Sequence, residues 1–174
     1  MTQLAAPATA RWRLGNRTRK SVLVLHIASA GAWLGVDVVM GVLIFTAAAR
    51  DDPATRALSY RALELVAVGP LLACGLICLL TGIVLGLGSR WGLVRYWWVV
   101  AKLVLNLVLT GLVLVALAPE VAAHADQARQ FQAGLPALLE VGQLIFPPIV
   151  SPAALLLALV LAVFKPWGRI RQGR

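Results

Sequence analysis

Four long, predominantly apolar runs restrict this chain to one kind of fold. They extend over Ser21–Ala49, about Leu65–Leu87, about Trp97–Ala118 and about Val141–Phe164. Each exceeds the roughly 20 residues that an α-helix needs to cross the hydrocarbon core of a bilayer. In that core every backbone N–H and C=O must find a partner within the protein, which leaves helices and closed barrels as spanning structures. Barrel strands would alternate apolar and polar side chains, and these runs do not. The reading is an all-α, polytopic membrane four-helix bundle. Composition agrees, with 60% hydrophobic and 13% charged residues and a mean hydropathy of +0.86. That is too little charge to cover a soluble domain.

Sixteen Lys and Arg against seven Asp and Glu give a net charge of +9. Their placement argues against nucleic acid as a partner. Arg11, Arg13, Arg17, Arg19 and Lys20 precede the first span. Arg90 and Arg95 separate the second from the third, and Lys165, Arg169, Arg171 and Arg174 follow the fourth. These eleven share one side, whereas Arg50, Arg56, Arg61 and Arg129 on the other side stand among Asp51, Asp52, Glu120 and Asp126. The positive-inside rule puts both termini in the cytoplasm, with the basic ends against anionic lipid head groups. The expected organisation is a basic leader (1–20), a four-helix transmembrane domain (21–165) and a basic tail (166–174). The expected location is the bacterial inner membrane.

The first apolar run is too long for a signal-peptide core, so an uncleaved first span is expected. Cys74 and Cys78, the only cysteines, fall within the second span and offer no extracellular disulfide framework. The first connection, Arg50–Glu64, reads as a short loop opening with the turn and helix-start signal Asp-Asp-Pro. Trp91, Tyr96, Trp97 and Trp98 suit an interfacial aromatic belt. The connection Pro119–Glu140 could carry a short helix at the outer surface, with His124 a solvated loop residue. Pro147, Pro148 and Pro152 should kink the fourth span.

Asp37 is the residue that most invites a functional reading. A carboxylate deep in a span costs roughly 2.5–3.5 kcal/mol on insertion scales, so such groups face a bundle interior or mark a site. Helical spacing sets His26, Trp33 and Asp37 on one stripe, with the Gly31/Gly35 pair on the other face suited to close packing. Gly82/Gly86 suggests a second tight contact. Counting ~1.5 Å per residue from each run's centre puts Cys78, Asn106 and Ser151 near the midplane. On the same count Asp37 lies about 3 Å outside it, and Thr81, Lys102 and His26 about 5, 8 and 13 Å inside. Asp37, Cys78, Thr81, Asn106 and Ser151 thus form a polar midplane layer, with Asn106 the expected partner of Asp37. Lys102 should snorkel back toward His26. A ligand cavity, if formed, is expected toward the cytoplasmic half, lined by His26, Trp33, Lys102 and Asn106 and closed by Asp37.

The segments LHIASAGAWLG (25–35), GLGSRWGL (86–93) and WWVVAKLVLNLVL (97–109) resemble an uncharacterised bacterial family of four-span integral membrane proteins, a domain of unknown function. The likeness covers about Lys20–Leu117 and implies no activity. More distantly, Leu25-His26, Trp33 and Gly35, with Trp98 and Lys102, resemble the four-span protoporphyrinogen oxidase family, and copper resistance protein D domains have a similar pattern. The oxidase resemblance implies that His26 is a haem b iron ligand, with Lys102 in the same functional region. The chain lacks that family's additional histidines, so a single-histidine or histidine–other-ligand site is what the resemblance leaves.

No Ser-His-Asp set, phosphate loop or His-Glu-x-x-His motif is present. The leading expectation is a non-catalytic binding or accessory protein with a polar intramembrane site. The alternative is a haem b-dependent oxidoreductase acting on a porphyrin or quinone-like substrate. A third is a proton-coupled transporter built as a homodimer or larger complex.

Overall fold

The computed structural model of the chain describes residues 14–88, 93–166, 168 and 170. Arg11, Arg13, Arg90, Trp91, Arg169, Arg171 and Arg174 lie outside the described residues. Helix α1 spans Asn16–Ala49, α2 Pro53–Val66, α3 Val68–Leu87 and α4 Trp97–Leu112. A π-helical segment, Val113–Leu117, joins α4 to α5 (Ala118–Gln132); a 3₁₀ turn, Gly142–Ile145, precedes α6 (Pro147–Phe164). No strand occurs among the described residues.

Among the described residues, four helical rods are long and apolar enough to cross a membrane: Asn16–Ala49, Pro53–Leu87, Trp97–Gln132 and Gly142–Phe164. The protein is therefore a multi-pass membrane bundle, with large apolar side chains such as Val24, Leu80, Val115 and Val163 turned outward. Those groups meet lipid tails, which are as apolar as they are, so association rests on fit and on internal hydrogen bonds. Both described chain ends lie on one side of the bundle. There Leu14 lies against Gly88, and Ile170 N–H donates to the Arg95 carbonyl at 3.0 Å.

The second and third rods, of 35 and 36 residues, are each roughly 50 Å long at 1.5 Å per residue. Hydrocarbon is about 30 Å thick, so both project beyond it. The projecting parts, α2 and α5, pack together as a cap opposite the chain ends. The expected Arg50–Glu64 loop is thus only the turn Arg50–Asp52. Pro53 opens α2, and Asp52 caps it by accepting from Ala54 N–H (3.2 Å), Thr55 N–H (3.0 Å) and Thr55 Oγ1 (2.6 Å). The loop reading failed because three arginines mask an apolar stripe, Ala57, Tyr60 and Leu63, that is buried in the cap. Arg56 ties the corner: its Nε donates to the carbonyls of Ala47 (3.1 Å) and Arg50 (2.8 Å), and Nη1 to that of Leu139 (3.4 Å). Positive charge at the end of α1 also complements its dipole.

His124 is not a solvated loop residue. It is buried in α5, with its ring edge-on to Tyr60 at 5.1 Å and its Nδ1 donating to the Glu120 carbonyl at 2.7 Å. Outside this contact, Arg129 reaches Glu64 (2.9 Å) and Asp126, and Arg61 meets Glu64 (3.2 Å). The prolines also act differently from expectation. Pro147 and Pro148 start α6, where a missing N–H is harmless, and only Pro152 lies inside the helix.

One apolar core runs from the cap into the adjoining half of the bundle, including Trp33, Met40, Ile44, Tyr60, Leu71 and Leu144. Close approach depends on Gly75. A Cβ there would lie 2.7 Å from both Trp33 Cζ3 and Thr110 Oγ1. Gly82 and Gly86 are also at close approaches, where an added Cβ would lie 3.2 Å from His26 and 2.5 Å from Leu93. Gly31 and Gly35 do not: both are exposed, with nothing within 4 Å of an added Cβ. The GxxxG spacing marks a smooth outer face of α1 because the neighbouring helices pack on the Trp33–Asp37–Met40 face instead.

Candidate functional site

Two polar centres lie between the helices. In the first, Trp33 and Asp37, one turn apart on α1, are each 1% exposed and both face α6. Trp33 Nε1–H donates to Ser151 Oγ at 3.1 Å, and Ser151 donates to Asp37 Oδ2 at 2.7 Å. The polarity of the chain is fixed: an indole can only donate, so the serine proton is turned to the carboxyl. Asp37 Oδ1 is buried without a hydrogen-bond partner. Asn106, expected to fill that role, does not; its own Oδ1 is buried and unpartnered. Periodicity places Asn106 on α4, but the rotation that decides which helix Asp37 faces turns it to α6.

Asp37 stands in the wall between two cavities. One, about 270 Å³, lies among α1, α3, the π segment and the start of the fourth rod, and it is bordered by Trp33, Asp37, Glu120, Gln143 and Ser151 among mostly apolar groups. The other, about 600 Å³, is an open groove between α1 and α6, running from Asp37 past Gly41 and Phe45 to Arg50. The smaller cavity coincides with both departures from α-helix. Val113, Ala116 and Leu117 line it from the π segment, with Leu112 at the end of α4; Gln143, Leu144, Phe146 and Pro147 line it from the 3₁₀ turn and helix start. π-Segments recur at functional sites, and irregular backbone within a membrane is tolerated where it lines a cavity.

The second centre joins α1 to α3. His26 Nδ1 is 3.0 Å from the Cys78 carbonyl and 2.9 Å from Thr81 Oγ1. The carbonyl only accepts, and Thr81 donates to the Ile77 carbonyl at 2.6 Å. Nδ1 therefore carries the proton and Nε2 the lone pair of the neutral ring. Cys78 Sγ lies 3.7 Å from the same Nδ1. Depths taken from run centres separate His26 and Thr81 by about 8 Å. Their contact reflects a relative shift of the helices, since α1 continues five residues into the basic leader before Ser21. Lys102 Nζ lies 5.0 Å above the Trp98 ring, one turn nearer the chain ends, which is the snorkelling direction expected.

The structure thus divides the residues expected to line one cavity. Trp33, Asp37 and Ser151 come together on the cap side, while His26, Cys78 and Thr81 form a separate clasp toward the chain ends. Neither His26, Lys102 nor Asn106 borders either of the two cavities. Gln143, which helical spacing puts on the same side of the fourth span as Ser151, lines the cavity beside it, as does Glu120, which carried no recognisable signal. Glu120 reads as part of a connection, and the π segment that brings it inward leaves no mark in hydrophobic spacing. Among the described residues no group of three or more His, Cys, Asp or Glu could hold a metal ion.

His26 alone fits a haem iron ligand, since a ligating imidazole holds its other N–H on an acceptor as Nδ1 does here. The rest of the expected haem site does not fit. Trp33 is turned to Ser151, and the His26 ring edge is packed on Gly82.

Scans against family models, curated proteins and solved structures return no match to this chain. What the fold defines is a multi-pass, all-helical membrane protein.

Proposed function

We propose that the chain is a non-catalytic binding protein of the bacterial inner membrane, with both termini cytoplasmic, and that its working centre is the cavity at Asp37. One observation carries the reading: a fully buried carboxyl with an unpartnered oxygen borders a cavity built from the irregular parts of two spans. A buried acceptor without a donor is expensive, and a bound donor would relieve it. The volume, about 270 Å³, falls just below the roughly 300–1,000 Å³ of ligand pockets, so the ligand is small. The basic residues near the chain ends support the orientation.

Ala116, on the π segment, lines the cavity. Native mass spectrometry of the wild-type protein and of Ala116→Trp, both from membranes, tests the reading. A small adduct on the wild type that is missing from the filled variant supports it. Identical spectra, with no species displaced by tryptophan, overturn it. For orientation, a cysteine placed at Ala137 should be labelled from outside intact cells.

The haem b reading is favoured by the tautomer of His26, which leaves Nε2 free to ligate. A Soret band in the purified protein that disappears in His26→Ala would establish it. Colourless protein after expression with ample haem would exclude it.

A further inference from the structure

We infer that the Asp37 cavity takes a small organic cation, a primary ammonium carrying a short apolar tail; this rests on the reading of that cavity as a binding site. Charge is the first ground. In a chain with sixteen Lys and Arg against seven Asp and Glu, the lining carries two carboxylates, Asp37 and Glu120, and no Lys, Arg or His. Asp37 is fully buried, whereas the Glu120 side chain is 44% exposed. One acid therefore stands deep and the other toward the surface.

Hydrogen-bond polarity is the second ground. Trp33 donates to Ser151 and Ser151 to Asp37 Oδ2, so two donors in series point at the carboxyl, and Asp37 serves as an acceptor. Its other oxygen, Oδ1, has no donor. An ammonium offers donors and the opposite charge, and each buried ion then removes the penalty of the other. A quinone or other carbonyl offers only acceptors and gives the ionised carboxylate no donor. An anion meets two acids, and a lipid tail satisfies neither. The remaining lining, with Leu109, Val113, Leu144 and Phe146, suits a short alkyl chain, and the Trp33 indole is a face on which a cation can rest.

The experiment titrates purified full-length protein in detergent with n-butylammonium, n-butanol and butyrate at neutral pH, following the thermal transition. Butylammonium should raise the midpoint while the other two do not. Asp37→Asn should weaken its apparent affinity at least tenfold, Glu120→Gln two- to threefold, and Ala116→Trp should remove the shift. If Asp37→Asn fails to fold, the other two variants decide: an ammonium shift unchanged in both overturns the proposal. If butanol stabilises as well as butylammonium, and Ala116→Trp removes both shifts, the cavity binds but the cation assignment fails. If no probe shifts the wild type, the cation assignment falls. If native spectra of the wild type and Ala116→Trp are also identical, the binding reading falls as well.

Discussion

Near the chain ends, His26 meets Thr81 and the Cys78 carbonyl across two regular helices; near the cap, Asp37 and Trp33 meet Ser151 where the third and fourth rods are irregular. The first centre is a closed arrangement: Nδ1 has two acceptors, and Thr81 satisfies itself on its own helix. The second leaves one carboxyl oxygen unmatched beside open volume, although it sits next to the main apolar core. In lipid, where apolar surface gives no net drive between helices, a satisfied polar clasp holds two helices together. An unsatisfied one beside a cavity is a weak point that persists where something else uses it. Dense packing and open space thus lie side by side around Asp37.

The largest effect should come from Gly75, where Trp33 and Thr110 converge. Gly75→Leu should prevent assembly of a monodisperse bundle, and Gly75→Ala should cost about 1–3 kcal/mol through overpacking. Unfolding in mixed micelles measures both, and a neutral Gly75→Leu would remove the close packing from the comparison. Ser151→Ala comes next, since it strands the Trp33 N–H and an oxygen of Asp37 together. A loss of about 1–2 kcal/mol is expected, against about 0.6 kcal/mol for Thr81→Val, because His26 keeps the Cys78 carbonyl. Equal losses would mean that the two centres are energetically alike. Gly31→Ala and Gly35→Ala on the open face of α1 should stay within about 0.5 kcal/mol. A larger loss that depends on protein concentration would show that face to be covered by another chain.

The smallest effect concerns pH at the cap. Hydrogen bonds from the Thr55 hydroxyl, then from the Thr55 and Ala54 amides, hold Asp52 below the ordinary aspartate value of 3.8. A depressed folded value means that this cap contributes fully above that value and is lost as pH falls below it. Hydrogen exchange at the start of α2 should therefore accelerate, relative to the amides of α1, as pH is lowered below 3.8. Asp52→Ala should show the faster rate at every pH.

The spans were legible because bilayer thickness imposes a length that composition alone reveals. Asp37 and Ser151 were both legible as members of a polar layer for the same reason. Their pairing was not. Period 3.6 assigns each residue a face of its own helix and says nothing of how helices are rotated against one another, so Asn106 looked as suitable as Ser151. Arg56, Arg61 and Arg129 made the cap look like connecting chain, because their charges outweigh the apolar stripe beneath them. Gly75, where Trp33 and Thr110 converge, has no GxxxG partner, and of the two pairs with that spacing Gly82/Gly86 packs inward while Gly31/Gly35 faces outward.

The clasp at Asp37 joins parts of the chain made far apart in time. Trp33 and Asp37 precede Ser151 by 118 and 114 residues, whereas Gly75, which receives the Trp33 ring, lies in the next rod. A nascent chain can seat the indole as soon as the first hairpin has entered the bilayer. Its N–H and the neighbouring acid stay unquenched until the last rod arrives, at several kcal/mol for each exposed group. A truncated or stalled product therefore displays two polar groups to lipid, and completion of the protein gives the indole its acceptor and one oxygen of the acid its donor through a single hydroxyl. Ser151 thus links the last rod to the first at the one point where both polar groups of α1 turn toward it.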